Sequence, residues 1–175
     1  MRTVLALLAA ICLPLAAVEV PGTVVSVADG DTMTVKLADQ TVAKVRFISI
    51  DTAESHNNSH GVEMPEGVQA TTFLRALLPV GAEVKLWGPK ERLEKDRYER
   101  LLALVVMADQ ITAQEKIVAA GWSVYWRKYG EAPEPYHARL LKAQETAKTS
   151  GAGAWATSEK WMVDKSNERT APKAK

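Results

Sequence analysis

An α+β fold, a five-stranded β-barrel carrying three helices, is predicted for this 175-residue chain by three observations. Three runs alternating at period two, the first rich in valine, follow one another over residues 20–50, as in a meander of strands. Over residues 67–78 the apolar spacing changes to three and four, the period of a helix. Two further apolar runs, 83–87 and 101–107, come next, and each precedes charged or helical sequence.

The elements follow in order. Met1-Arg2 is a short positive start, residues 4–15 are almost wholly apolar, and Ala16 and Ala17 are small. Residues 1–17 therefore read as a secretory signal peptide, too short for a membrane span. Cys12, the single cysteine, lies in this leader, and Ile11 stands where a lipid-attachment site requires a small residue. Strands are expected over 20–28, 32–37 and 41–50, the last with Val42, Val45, Phe47 and Ile50 facing the core. Asp29-Gly30 and Ala38-Asp39-Gln40 are the turns between them.

Residues 55–66 are polar and predict an exposed loop. His56 and His60 are four apart there, a spacing that aligns metal ligands only on a helix, so a solvated loop is the expectation. The helix at 67–78 presents Val68, Phe73, Leu74, Leu77 and Leu78, and Pro79 and Gly81 end it. Strands four and five fall at 83–87 and 101–107, with a charged, mobile turn at 88–99. A second helix covers 110–120 and stops at Gly121. A third starts at Pro133 or Pro135 and runs to about Ser150, with Trp155 folded back on the core. Five strands with a helix between the third and fourth are the count and order of an OB-fold barrel, occupying 18–156. Residues 157–175 predict a polar, disordered tail.

Charge narrows the function. Loss of Arg2 with the leader brings the basic residues from 22 to 21, equal to the 21 acidic ones. A general polyanion binder would be strongly basic. Affinity for phosphate must come from a local cluster.

Such a cluster is visible. Asp29-Gly30-Asp31-Thr32 is followed twenty residues after Asp31 by Asp51-Thr52-Ala53-Glu54, with Arg46 five residues before Asp51 and Arg100 closing Asp96-Arg97-Tyr98-Glu99-Arg100. Each piece alone has an ordinary reading as a hairpin turn, a strand-end cap or a solvated charge run. Arg46 is harder to dismiss, because it shares a strand face with Lys44 and Ile48, away from Val45 and Phe47, and so points to a groove. Carboxylate oxygens suit a hard cation such as calcium, and arginine forks suit phosphate.

Taken together, these motifs resemble the staphylococcal nuclease (thermonuclease) family. Its members carry Asp-Gly-Asp-Thr after the first strand, an arginine in the third strand before Asp-Thr-Pro-Glu, and Asp-x-Tyr-Gly-Arg before the fifth. The likeness continues through Ala119-Ala120-Gly121-Trp122 to Ala154-Trp155 and covers residues 20–155. The resemblance implies an exported, calcium-dependent, sugar non-specific endonuclease that acts on DNA and RNA and leaves 3′-phosphates. Asp31, Asp51 and the Thr52 carbonyl would ligate Ca2+. Arg46 and Arg100 would hold the phosphate, Glu54 would act as general base, Tyr98 would lie beside the phosphate edge, and Tyr129 near the base. Single-stranded or frayed substrates, a monomer, and a periplasmic or extracellular location without stable membrane association complete the expectation. A barrel that only binds nucleic acid and a phosphodiesterase for another surface polymer are the alternatives.

Two positions depart from the pattern. Ala53 replaces the family proline and removes no functional group. Glu99 replaces the glycine before Arg100; a positive φ there would strain it, and its carboxylate either pairs with Arg100 and weakens its grip on substrate or points away harmlessly, so that reduced but retained activity is expected.

Overall fold

The computed structural model describes residues 17–56 and 63–169. The elements are β1 (Val18–Asp29), β2 (Thr32–Leu37), β3 (Val42–Phe47), β4 (Ile50–Asp51), α1 (Pro65–Leu77), β5 (Glu83–Gly88), β6 (Glu94–Lys95), β7 (Leu101–Val106), α2 (Ala113–Ala119), β8 (Val124–Tyr125), α3 (Tyr136–Ser150), α4 (Ala154–Thr157) and α5 (Glu159–Asn167).

β1 is long enough to serve two neighbours. Its first half pairs antiparallel with β5, from Val18↔Gly88 to Thr23↔Glu83, and its second half pairs with β2. Register shifts between Val24 and Ser26 and between Val27 and Asp29 bend the strand between these tasks. β2 pairs with β3, β5 with β7, and a parallel β3–β7 ladder (Val45↔Leu101 to Phe47↔Ala103) closes the ring. This is the expected five-stranded OB barrel. Its interior is filled by the alternating residues Val24, Met33, Val35, Val45, Phe47, Leu86 and Ala103, with Leu74 of α1 closing one end.

Several expectations are corrected. Val42, at the start of β3, is 63% exposed, and Val68 of α1 faces outward at 40%. α1 instead buries the smaller Gly67, Ala70 and Thr71 with Leu74, because this face lies against backbone. The third strand does not run to residue 50: Ser49 has φ +64°, and the chain turns into β4, which pairs with β8. Residues 88–99 are not simply a turn, since β6 pairs with β7. There are five helices among the described residues rather than three. Up to Arg169 the tail is not disordered. Met162 of α5 is fully buried against Val124, Ala147, Ala154 and Trp155, and this second apolar cluster orders the segment. No helix of the described residues is long and apolar enough to cross a membrane. The leader, up to residue 16, and His60 lie outside the described residues.

Candidate active site

The two acidic motifs meet on the first turn of α1. Gly67 there packs so closely that a Cβ would lie 2.1 Å from the Glu54 carbonyl oxygen, and the Met64 N–H donates to that carbonyl at 2.9 Å. A Cβ on Gly30 would lie 2.8 Å from Cβ of Ala70 and 2.9 Å from Cγ2 of Thr52. The Thr71 hydroxyl donates to Asp29 Oδ1 at 3.2 Å. Small residues at 67, 70 and 71 thus let both turns sit on one helix face. The apolar periodicity of residues 67–78 carries no sign of that role.

Asp31 and Asp51 converge on Arg46. β2–β3 register sets Thr32 opposite Arg46, so the guanidinium lies beside the Asp29–Thr32 turn. Arg46 Nη1 contacts Asp31 Oδ2, and Nη2 contacts Asp51 Oδ1 at 2.9 Å. Asp31 Oδ2 also accepts from the Thr52 hydroxyl (3.1 Å) and the Thr52 N–H (3.4 Å). The Ser123 hydroxyl donates to the Asp51 carbonyl at 2.9 Å, tying β4 to the β8 region. Two carboxylates from separate turns therefore sit on neighbouring nitrogens of one guanidinium.

These charges perturb one another. Burial raises the Asp51 carboxyl above the ordinary aspartate range, and nearby Asp31 adds to this; Arg46 and Lys165 offset only part of it. Burial opposes the charge on Arg46, but Asp31 and Asp51 outweigh it and raise the guanidinium further. Arg46 is charged at every pH at which the protein is folded.

Arg46, Leu102 and Arg100 share one face, because Arg46 is in register with Leu102 and Arg100 lies two residues before it. All three line a cleft of about 1010 Å³ with Asp31, Asp51 and Glu54. Arg100 is held by Asp96, with Nε to Oδ2 at 2.8 Å and Nη2 to Oδ2 at 2.7 Å. The Arg100 guanidinium carbon lies 5.4 Å from the Tyr98 ring centre, within cation–π range. Glu99 has φ +61°, the strained conformation expected of a side chain in a glycine position. Its carboxylate does not pair with Arg100; it points outward to Lys95 Nζ at 3.0 Å.

Tyr98 and Tyr129 are 49% and 81% exposed and both line the cleft. Tyr129 meets Trp126 edge-on at 5.2 Å. One cation here was not foreseen: Lys165 of α5 lies 3.0 Å from Asp51 Oδ2. Burial lowers its ammonium, but Asp51 and Glu168 outweigh that and raise it. The Lys160–Asp164 pair at i,i+4 around Trp161-Met162 was the overlooked sign of a helix here.

Among the described residues, no group of three or more His, Cys, Asp or Glu side chains is gathered as a metal centre. His56 is exposed and contacts Ser55. The groups that gather on Arg46 are the carboxylate oxygens of Asp31 and Asp51. This set fits a hard cation and not zinc.

A closed OB barrel with a cleft that gathers acids and arginines places the protein among the nuclease-like OB barrels. The family follows from comparison with known proteins. The model of the family described as staphylococcal nuclease homologue matches residues 44–157, about two thirds of the chain, and the chain belongs to that family. Similar proteins include an uncharacterized lipoprotein of Mycoplasma genitalium, 35% identical over 81 residues (44% of this chain, 31% of that protein). Endonuclease YhcR of Bacillus subtilis is 26% identical over 146 residues (81% and 12%). An uncharacterized endonuclease of Haemophilus influenzae is 30% identical over 133 residues (76% and 65%). The match thus spans between an eighth and two thirds of the length of these relatives.

Proposed function

We propose that the protein is an exported, calcium-dependent, sugar non-specific endonuclease that hydrolyses phosphodiester bonds of DNA and RNA and leaves 3′-phosphates. The observation that carries this reading is the convergence of Asp31 and Asp51 on Arg46, in a cleft also lined by Glu54 and Arg100. Membership of the family, and the naming of two relatives as endonucleases, support it. The leader over residues 1–17 supports export, as does the naming of one relative as a lipoprotein.

The residues divide the work as follows. Asp31, Asp51 and the Thr52 carbonyl would hold calcium, which when bound supplies positive charge for a non-bridging phosphate oxygen. Arg46 on β3 and Arg100, just before β7, line the same cleft, where each would offer a fork of N–H donors to phosphate oxygens. The transition state carries more charge on those oxygens than the ground state, so donors fixed beforehand stabilise it preferentially. Glu54, on the loop clamped by Gly67, accepts the proton of the attacking water. Tyr98 borders the phosphate and Tyr129 the base. Since these contacts are to backbone and base face, little sequence preference is expected, with single-stranded or frayed ends cut fastest. The protein acts as a monomer.

The test is hydrolysis of DNA and RNA by the mature chain during a calcium titration. Activity should require calcium and vanish with chelator, and Glu54→Gln should lower kcat by about 10²–10⁴-fold. Cleavage at the wild-type rate by Glu54→Gln would remove the assigned base. Tight binding of nucleic acid without any hydrolysis would replace the enzyme by a binding module.

A further inference from the structure

Lys165 lies outside the segment that matches the family, which ends at residue 157. The helix that carries it is pinned at both ends. At its start, the hydroxyls of Thr157 and Ser158 donate to Glu66 Oε1 of α1 at 2.8 and 2.7 Å. At its end, the Trp126 indole N–H donates to Glu168 Oε2 at 2.7 Å. Met162 is buried between these anchors. Lys165 is thereby aimed into the cleft, its Nζ 3.0 Å from Asp51 Oδ2 and 3.7 Å from Glu168 Oε2. Its ammonium also lies 5.7 Å from the Trp126 ring and 6.0 Å from the Trp161 ring.

The two oxygens of Asp51 are thus each covered by a cation: Oδ1 by Arg46 and Oδ2 by Lys165. Arg46 is shared with Asp31, whereas Lys165 contacts Asp51 alone of the two aspartates. An arriving cation needs an oxygen of Asp51, and Oδ2 is the one whose present partner can swing away. Lysine has a flexible four-carbon stem, and Glu168 stands nearby to receive the ammonium.

We propose that Lys165 is a positioning residue of the cation site: its ammonium is the internal counter-ion of Asp51 and competes with a divalent cation for Oδ2, so that α5 sets the cation affinity. This rests on the reading of Asp31 and Asp51 as cation ligands. The arrangement keeps a desolvated acid pair neutralised before metal arrives, at the expense of weaker metal binding.

Isothermal titration calorimetry with calcium chloride on the mature chain, without nucleic acid, tests it. Lys165→Gln should tighten the calcium Kd on the order of tenfold, the scale of one unit charge removed from a partly screened contact. Lys165→Arg, which keeps the competing charge, should stay near wild type. Lys160→Gln makes the same charge change on the same helix, at the solvent-facing Lys160–Asp164 pair, and should have no effect. If Lys165→Gln loses its cooperative thermal melt, Lys165→Met keeps the stem against the tryptophans and carries the same expectation. A Kd in Lys165→Gln equal to or weaker than wild type overturns the proposal. Calcium binding that disappears in Asp31→Asn but ignores Lys165→Gln overturns this proposal and leaves the metal reading intact. No calcium binding by wild type overturns both.

Discussion

Arg46 stands inside a barrel strand with its guanidinium shared between aspartates from two different turns, whereas Arg100 stands at the mouth of a hairpin and pairs with Asp96, four residues away. Both face the same cleft. Arg46 is placed by the β2–β3 register and the closure of the ring, so its geometry depends on the whole barrel. Arg100 is placed by a turn that organises itself: Asp96 accepts from the backbone N–H of Tyr98 (2.9 Å) and of Arg100 (3.0 Å) as well as from the Arg100 side chain. One arginine is therefore coupled to fold stability and to the acid pair Asp31 and Asp51; the other is a separable part.

Replacing the two in turn should expose that difference most strongly. Arg46→Ala leaves two largely buried carboxylates short of countercharge, so a stability loss of about 3 kcal/mol is expected together with a fall in hydrolysis rate of about 10²–10³ or more. Calcium should restore part of the lost Tm and none of the rate; a melt insensitive to calcium would break the link between Arg46 and the cation site. Arg100→Ala should cost a similar ~10²–10³ in rate but only about 1 kcal/mol in stability, measured by urea unfolding. Equal destabilisation by the two variants would erase the contrast.

A smaller effect is expected on the acid side. Burial opposes the charge on Asp96, but the hydrogen bonds from Arg100 and Tyr98 outweigh it and hold the carboxyl below its ordinary 3.8. A depressed acid contributes stability that is present above its unfolded value and is lost as pH falls through the folded one. Asp96→Asn should thus be less stable than wild type at neutral pH by about 1 kcal/mol, and the gap should close below about pH 3.8. A gap that persists at low pH would place the stabilisation elsewhere. The smallest effect concerns Glu99. Since its backbone is left-handed and its carboxylate faces Lys95, Glu99→Gly should stabilise by about 1 kcal/mol with turnover within about twofold of wild type. A large rise in turnover would mean that Glu99 does restrain Arg100.

The sequence was most legible where a local rule suffices. Period-two alternation with Asp-Gly and Gln40 turns located the strands, and the outward parity of Arg46 was already readable from its neighbours Val45 and Phe47. The left-handed Gly151 marks the end of α3, whereas α2 starts at Ala113, behind the Thr112–Glu115 capping box, and not at the expected residue 110. Reading failed where a residue's role depends on what lies across the molecule. Val42 alternates correctly yet has no neighbour to cover it. Ser49 breaks a continuous strand because Ile50 and Asp51 find a better partner in β8, seventy residues on. Lysine-rich composition hid α5, whose order comes from Met162 reaching an apolar cluster formed by β8, α3 and α4.

By itself, the sequence determined the order of the strands, the turn that carries Asp31 and the strand face that carries Arg46, because these follow from backbone periodicity and turn chemistry within a few residues. Only the tertiary structure decided that both aspartates share one guanidinium, that Gly67 and Gly30 let their turns meet on α1, and that Lys165 returns from the far end of the chain to cover Asp51. Apart from Arg46–Asp51, five residues apart, those contacts join segments more than a dozen residues apart, where packing rather than local propensity selects the neighbour.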